Sequence, residues 1–418
     1  MIGRAAANAK RDGTYEKPDT PPPPLTLHER GAAWLASGQA RETQAARALE
    51  RDRRGRGKTL VLAGHGAGLR VERDALIVQD GHTHNPQTPA RHVLHRAAHG
   101  VECIVCVAPS GLLSFDAIQW CHEQAITLIV LDRDGELLTA IAGPGRAEGG
   151  GRGRGVHSDV TLRRRQYEAA LTGYDVAVAR WFVQRKLDGQ RATLRSFPAL
   201  PGAAVGVNGL DAALTDMEAP DAGPDAGGCA GLDSIIGVRL YEGRAAALYF
   251  DAWTGYPLRW RKADRRYVPP HWHVIRARHS PLSDSARRAI DPCNAILNYA
   301  YGVLEGQCKQ ALTVAGFDVA CGFLHADRPY RDSLVYDLME LYRPAVDALV
   351  LSLLARTVFT HGDFVQTSDG QCRAHPQLAR AVAAACRVAQ YRVDEGAAQL
   401  RLLLTDHCSP LAPLAPRA

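Results

Sequence analysis

The chain lacks any apolar run long enough to cross a bilayer. Its longest, Val346 to Phe359, is broken by Asp347 and Arg356, whereas a spanning helix needs about 20 apolar residues. No secretory signal is apparent, and the ten cysteines form no regular framework. Cys103 and Cys106 make the lone CxxC. A zinc site would need a second pair at similar spacing, so these thiols read as structural. Unpaired thiols without a secretory signal point to a reducing cytoplasm and no membrane. Nucleotide-loop motifs are missing too: Gly64, Gly66 and Gly68 follow a strand pattern, but neither GxGxxG nor GxxxxGK[ST] is completed. There is no internal repeat. Strong charge is also absent. A net charge of +6 is mildly basic, a weak pointer to polyanions.

What is present divides the chain. Residues 1–58 carry the Pro21–Pro24 run, a capping box at Thr26–Glu29 and the basic stretch Arg51–Lys58, and read as a solvated, partly disordered extension, the alternative being a basic arm that touches DNA. Residues 59–144 alternate with period two. Strands are expected over Thr59–Ala63, Gly68–Val71, Ala75–Gln79, Glu102–Val107, Ile126–Leu131 and Glu136–Ile141, with a hairpin turn at Asp132–Gly135. One helix interrupts them, capped by Ser114, with Phe115, Ile118 and Cys121 on one face. A Gly/Arg-rich linker follows over 145–160. The pattern over 161–405 is helical, broken by a Pro/Asp/Gly loop at Pro220–Gly231, and a Pro/Ala tail occupies 406–418. The fold class expected is α+β: a β-rich sandwich domain, then an all-α domain.

Chemistry concentrates in the helical region. A helix over Asp233–Phe250 places Ile235, Val238, Ala245, Ala246 and Tyr249 on one stripe, with Glu242 in its middle. A carboxylate there is costly to bury unless it is paired, protonated or bound to a metal. The bland alternative is an ion pair with Arg239. A second helix opens at Asp332 or Ser333. Asp337 and Glu340 lie three apart along the edge of its apolar stripe, and Pro344 then interrupts or kinks the helix. Two neighbouring acids repel unless a cation sits nearby; the plain alternative is a solvated acidic face balanced by Arg343. His325, in the loop Gly322–His325, can fold back over either acid. One imidazole with two or three carboxylates suits Mg²⁺ or Mn²⁺ better than zinc, and such an ion serves in-line phosphoryl displacement. Between Trp253 and His279, five aromatics alternate with arginines and Lys262. Cations fit phosphates and aromatics stack unpaired bases. Arg163, Arg164, Arg165, Arg185 and Lys186 form a weaker second patch.

Four segments, Tyr241-Glu-Gly-Arg-Ala-Ala-Ala-Leu-Tyr249, Asp291-Pro-Cys-Asn-Ala-Ile-Leu-Asn-Tyr299, Gly322-Phe-Leu-His325 and Ser333-Leu-Val-Tyr-Asp-Leu-Met-Glu340 with the following Leu-Tyr-Arg-Pro344, resemble in order those of the integrase subunit of CRISPR spacer acquisition. Leu113–Trp120 and Ile126–Asp132 match as well. The resemblance covers about residues 59–405. It implies metal ligation by Glu242, His325 and Glu340, with Asp337 close by as an orienting or alternative ligand and counted with them among the catalytic positions. It also implies a phosphate-steadying Arg343 and a structural Asn294. The function implied is a DNA endonuclease and integrase that inserts spacers into a repeat array by 3′-hydroxyl attack, using Mg²⁺ or Mn²⁺. The partners implied are double-stranded or branched DNA, a second copy paired through the β-rich domain, and a small ferredoxin-like adaptation protein. The DNA-contacting set expected is Arg259, Arg261, Lys262, Arg276, Arg278 and Arg343. Two other functions fit a similar sequence: a DNA-binding assembly subunit that has lost catalysis, and a stand-alone integrase of a mobile element. The 1–58 extension has no counterpart in the resemblance.

Overall fold

The computed structural model describes residues 58–83, 89–96, 98–141, 159–218, 232–276, 289–325, 327, 329, 331–386 and 390–406. The extension, most of the linker, the Pro220–Gly231 loop, the tail and Arg278 lie outside the described residues. The strand-bearing and helical regions belong to one compact unit, 56–418.

The fold is α+β, as the patterning suggests. The first part holds β1 (Lys58–Leu62), β2 (His65–Glu72), β3 (Ala75–Gln79), β4 (Arg91–Leu94), β5 (Val101–Cys106), β6 (Ser110–Leu113), α1 (Phe115–Glu123), β7 (Thr127–Leu131) and β8 (Leu137–Ile141). Two four-stranded sheets result, in the orders β1-β5-β7-β8 and β4-β3-β2-β6. In the first sheet β1, β5 and β7 are parallel and β8 closes antiparallel. Strands β4 and β6 lie outside the period-two runs. Only Leu94 is buried in β4 and nothing is buried in β6, so neither shows an alternating core face. Ser114 caps α1 as expected, but the buried face is Ala117, Trp120 and Cys121. Phe115 is 90% exposed, because the sheet lies one helical step away from the face expected.

The parallel strands β1, β5 and β7 of the first sheet are buried on both sides. Leu60, Leu62, Ile104 and Leu128 meet the second sheet and α1. Cys103, Val105, Ile129 and Leu131 join the core of the helical part. Near-continuous apolar strands are the signature of such a doubly covered sheet.

The helical part comprises α2 (Val160–Thr172), α3 (Tyr174–Ser196), α4 (Ala203–Glu218), α5 (Ile235–Asp251), α6 (Pro292–Val314), α7 (Ser333–Glu340), α8 (Arg343–Arg356), α9 (Pro376–Cys386) and α10 (Gln390–Asp406). A short antiparallel pair, β9 (Phe364–Gln366) and β10 (Cys372–Ala374), breaks the helical pattern. Each strand has three residues, too few to display a period. Helix α6 is the spine, capped by Asp291, whose carboxylate accepts from the Asn294 amide at 3.0 Å and its side chain at 2.6 Å. Asn294 thus has a capping role. The Asp132–Gly135 turn presses on α6: a Cβ at Gly302 would lie 2.0 Å from the Gly135 carbonyl oxygen, so only glycine fits there. The Tyr299 hydroxyl donates to the Arg133 carbonyl at 2.6 Å. Helix α3 touches α4, α5, α7 and α8 and therefore sits where two of the singled-out acids meet.

Candidate active site

Helix α3 buries Ala179, Phe182, Val183, Leu187, Gln190 and Leu194 along a three-four stripe. Lys186 falls on that stripe and is buried, while its neighbour Arg185, about 100° round the helix, is exposed. Lys186 is therefore not part of a surface patch. A charge on a buried stripe must find a partner, and this one finds two. Its ammonium forms an ion pair with Glu242 of α5 and another with Glu340 of α7, the latter at 2.5 Å.

Glu242 reaches this point because Ser234 caps α5 through the Gly237 amide, and Val238, Ala245 and Tyr249 set its buried face. Its side chain is 23% exposed, so it sits at the rim of the stripe. Arg239, the ion-pair partner considered from sequence, is exposed; Lys186 takes that place. Glu340 ends α7 and is only 3% exposed. The chain then breaks at Leu341–Tyr342, and Pro344 begins α8 in its first turn, where a missing N–H costs nothing. Arg343 Nε lies 3.4 Å from Glu340 Oε1, and its guanidinium stands over the Tyr301 ring, 5.0 Å from the centroid. Burial pushes the Glu340 carboxyl up, but Arg343 and then Lys186 outweigh it and hold it well below the usual carboxylate range. Burial likewise opposes the charge on Lys186, yet Glu340 and Glu242 raise its pKa above the ordinary lysine value.

Asp337 is fully buried and committed to the preceding loop. Its carboxylate accepts from the amides of Phe323 at 2.6 Å, Leu324 at 3.0 Å and His325 at 2.9 Å. The same carboxylate meets His325 Nδ1 at 2.7 Å. Asp337 thus shapes the loop and turns the imidazole. Three amides and a ring nitrogen fill its lone pairs, so it is a positioning residue here. Deeper in, the Asp347 carboxylate accepts from the hydroxyls of Tyr301 at 2.5 Å and Tyr249 at 3.1 Å. This fixes the ring under Arg343.

The structure brings Glu242 and Glu340 together on one ammonium, with His325 near enough to act electrostatically on Glu340. Among the described residues, no three His, Cys, Asp or Glu side chains already stand as a metal cage. The donor set still fits a hard divalent ion: two carboxylates from different helices converge on a single cation. With Nδ1 of His325 on Asp337, Nε2 is the nitrogen left for a metal, the usual carboxylate–imidazole–metal order.

The Trp253–Arg276 segment differs from its sequence reading. Trp253, Trp260 and Trp272 are core residues. The Trp260 indole N–H donates to the Trp272 carbonyl at 3.2 Å, and that of Trp272 to the Ile290 carbonyl at 2.9 Å. They are not available to stack bases. Arg261 grips Asp264 through two bonds of 2.6 and 2.7 Å, and Arg259 donates to the Ala355 carbonyl. Lys262, Arg265, Arg266 and Arg276 face solvent, as does Tyr267.

Residues 60–387 match the family model described as CRISPR associated protein Cas1. The chain belongs to the Cas1 family. Glu242, His325, Asp337, Glu340 and Lys186 all lie within the match. A relative in Rhodospirillum rubrum, a CRISPR-associated endonuclease Cas1, is 30% identical over 321 residues, covering 75% of this chain and 80% of its own. Among solved structures, a casposase bound to an integration product aligns with a TM-score of 0.64 at 23% identity, covering 85% of this chain and 92% of its own. A Cas6-RT-Cas1–Cas2 complex aligns with a TM-score of 0.57 at 18% identity, covering 84% of this chain and 35% of that longer one. At these identities the two structures show a shared fold, and that fold is the one seen in Cas1 proteins. No helix among the described residues is long and apolar enough to cross a membrane.

Proposed function

We propose that the protein is a metal-dependent DNA endonuclease and integrase that inserts spacers into a CRISPR array. The observation that carries this reading is the convergence of Glu242 and Glu340 on one buried cation, beside a His325 oriented by Asp337, in a Cas1-family chain. A 3′-hydroxyl oxygen attacks the phosphorus of a repeat phosphodiester, and the bond to the old 3′ oxygen breaks. When bound, Mg²⁺ or Mn²⁺ supplies charge stabilisation at the phosphoryl group and favours the deprotonated nucleophile. Glu242, His325 and Glu340 would hold it. Asp337 keeps the imidazole turned, and Arg343, steadied on Tyr301, offers positive charge to a phosphate at the same mouth. Lys262, Arg266 and Arg276 would carry flanking duplex through its phosphates. We further propose action in the cytoplasm and pairing of two copies through the β6 edge, where Leu112 and Phe115 are exposed. A small adaptation protein would bridge such pairs, as the complex with Cas2 suggests.

One observation favours a second reading. The Lys186 ammonium already balances both carboxylates, as it would in a DNA-binding subunit without catalysis. Half-site integration on repeat DNA separates the two. Strand transfer with Mn²⁺ that is lost on chelation, and lost in Glu242→Ala by about 10⁴-fold, supports the enzyme. A wild type that binds repeat DNA but neither transfers nor cuts in Mn²⁺ supports the silent subunit.

A further inference from the structure

We infer that Lys186 is a built-in counter-cation that holds the metal position in the metal-free protein and must withdraw for a divalent ion to enter. The inference rests on the metal reading above. Lys186 is 6% exposed and its ammonium contacts one oxygen of each carboxylate, Glu242 Oε1 and Glu340 Oε2. Those are oxygens a metal would take from the same two helices. A divalent ion needs oxygens at about 2.0–2.1 Å for Mg²⁺, which leaves no room for an ammonium in direct contact with both.

Two features separate a placeholder from an ordinary buried ion pair. Arg343 already stands against the other oxygen of Glu340, so that carboxylate has a second cation and need not depend on Lys186. And Glu242, at 23% exposure, is open on one side, giving an ion a path from solvent. The lysine stem is long and flexible, so the charge can move while α3 stays in place. Without any cation, Glu242 and Glu340 would repel across the gap. The placeholder stabilises the fold before metal arrives and weakens metal affinity by the same coupling.

The test measures metal binding itself rather than turnover. Mn²⁺ is titrated calorimetrically into chelator-treated full-length wild type and Lys186→Met, and thermal unfolding is followed with and without Mn²⁺. The expected result is a lower Tm for metal-free Lys186→Met, a larger Mn²⁺-induced rise in Tm, and a Kd for Mn²⁺ tighter by about tenfold, within the usual range for coupled sites. If the Met variant folds only when Mn²⁺ is present, that equally supports the inference. Lys186→Gln, which keeps donors but no charge, should follow the same order. Unchanged or weaker Mn²⁺ binding in both variants overturns the inference while leaving the metal reading intact, as does failure of both to fold in saturating Mn²⁺. Absence of Mn²⁺ binding in wild type and variants alike removes the metal reading and this inference with it.

Discussion

Two regions of the helical part are dense in charge, and they fold in opposite senses. Around Glu242 and Glu340 the charges turn inward: an ammonium, a guanidinium and two carboxylates meet at one point, each supplied by a different helix. From Trp253 to Arg276 the aromatics turn inward instead. Three tryptophans fill the core while Lys262, Arg265, Arg266 and Arg276 are left at the surface. The two stretches look alike in composition. What differs is their spacing against the core: Lys186 occurs at a buried step of α3, whereas the arginines of 253–276 lie on turns and short 3₁₀ segments with no continuous buried face. On the proposed function, the inward charges would take a small cation and the outward ones a polyanion.

The largest test of that contrast is Trp260→Ala. If the ring is core, unfolding measured by denaturant should show a loss of about 3–5 kcal/mol, and DNA affinity per folded molecule should stay near that of wild type. A stable variant with weak DNA binding would return Trp260 to the interface. Next is Asp337→Asn, which sets an amide donor against the loop amides of Phe323, Leu324 and His325. A loss of about 2–3 kcal/mol in stability is expected, together with reduced strand transfer because His325 is no longer turned by a carboxylate. Asp337→Glu should not rescue, since one more methylene displaces the acceptor from all three amides.

A smaller effect concerns acid. Glu340 has a folded pKa below its ordinary value, so its contribution to stability is fully present above the unfolded carboxylate range, at about 4.3. That contribution is lost as pH falls through the lower folded value. The difference in Tm between wild type and Glu340→Gln should be widest at neutral pH and close as acid is added; a gap that grows in acid would mean that Glu340 is not the charged partner of Lys186 and Arg343. The smallest effect is at the surface. Lys262→Ala should change stability by less than about 0.5 kcal/mol and lower the slope of log affinity against log salt by about one. A salt slope identical to wild type would take Lys262 out of the phosphate contacts.

Much of the architecture is legible in the sequence. Period-two runs locate β3, β5, β7 and β8, and the capping residue Ser114 marks a helix start in the structure. Glu242 stands out because an acid interrupts an apolar stripe, and Glu340 because it pairs with Asp337 along one helix edge. What is not legible has physical causes. Lys186 follows Arg185 and reads as surface charge unless the buried stripe of α3 is phased first; the signal is there, in Phe182, Val183, Leu187 and Gln190. Strand β6 is exposed throughout, so burial leaves no trace in its sequence. The fates of Trp260 and Trp272 depend on Phe359 and Phe364, about a hundred residues later in the chain, and no local pattern carries that.

The parallel strands of the first sheet have no free face, and this bears on how the protein can be divided. Cutting the chain after residue 144 would strip the helices from Cys103, Val105, Ile129 and Leu131 and leave the Asp132–Gly135 turn without the α6 groove that receives it. Such a fragment would present a sticky apolar wall to solvent, and its self-association would say little about native pairing. The strand-bearing part is therefore better probed by point changes in the whole chain than by excision. For protein engineering the same seam is a warning: a fusion or permutation that opens the Asp132–Gly135 turn would unseat the spine helix.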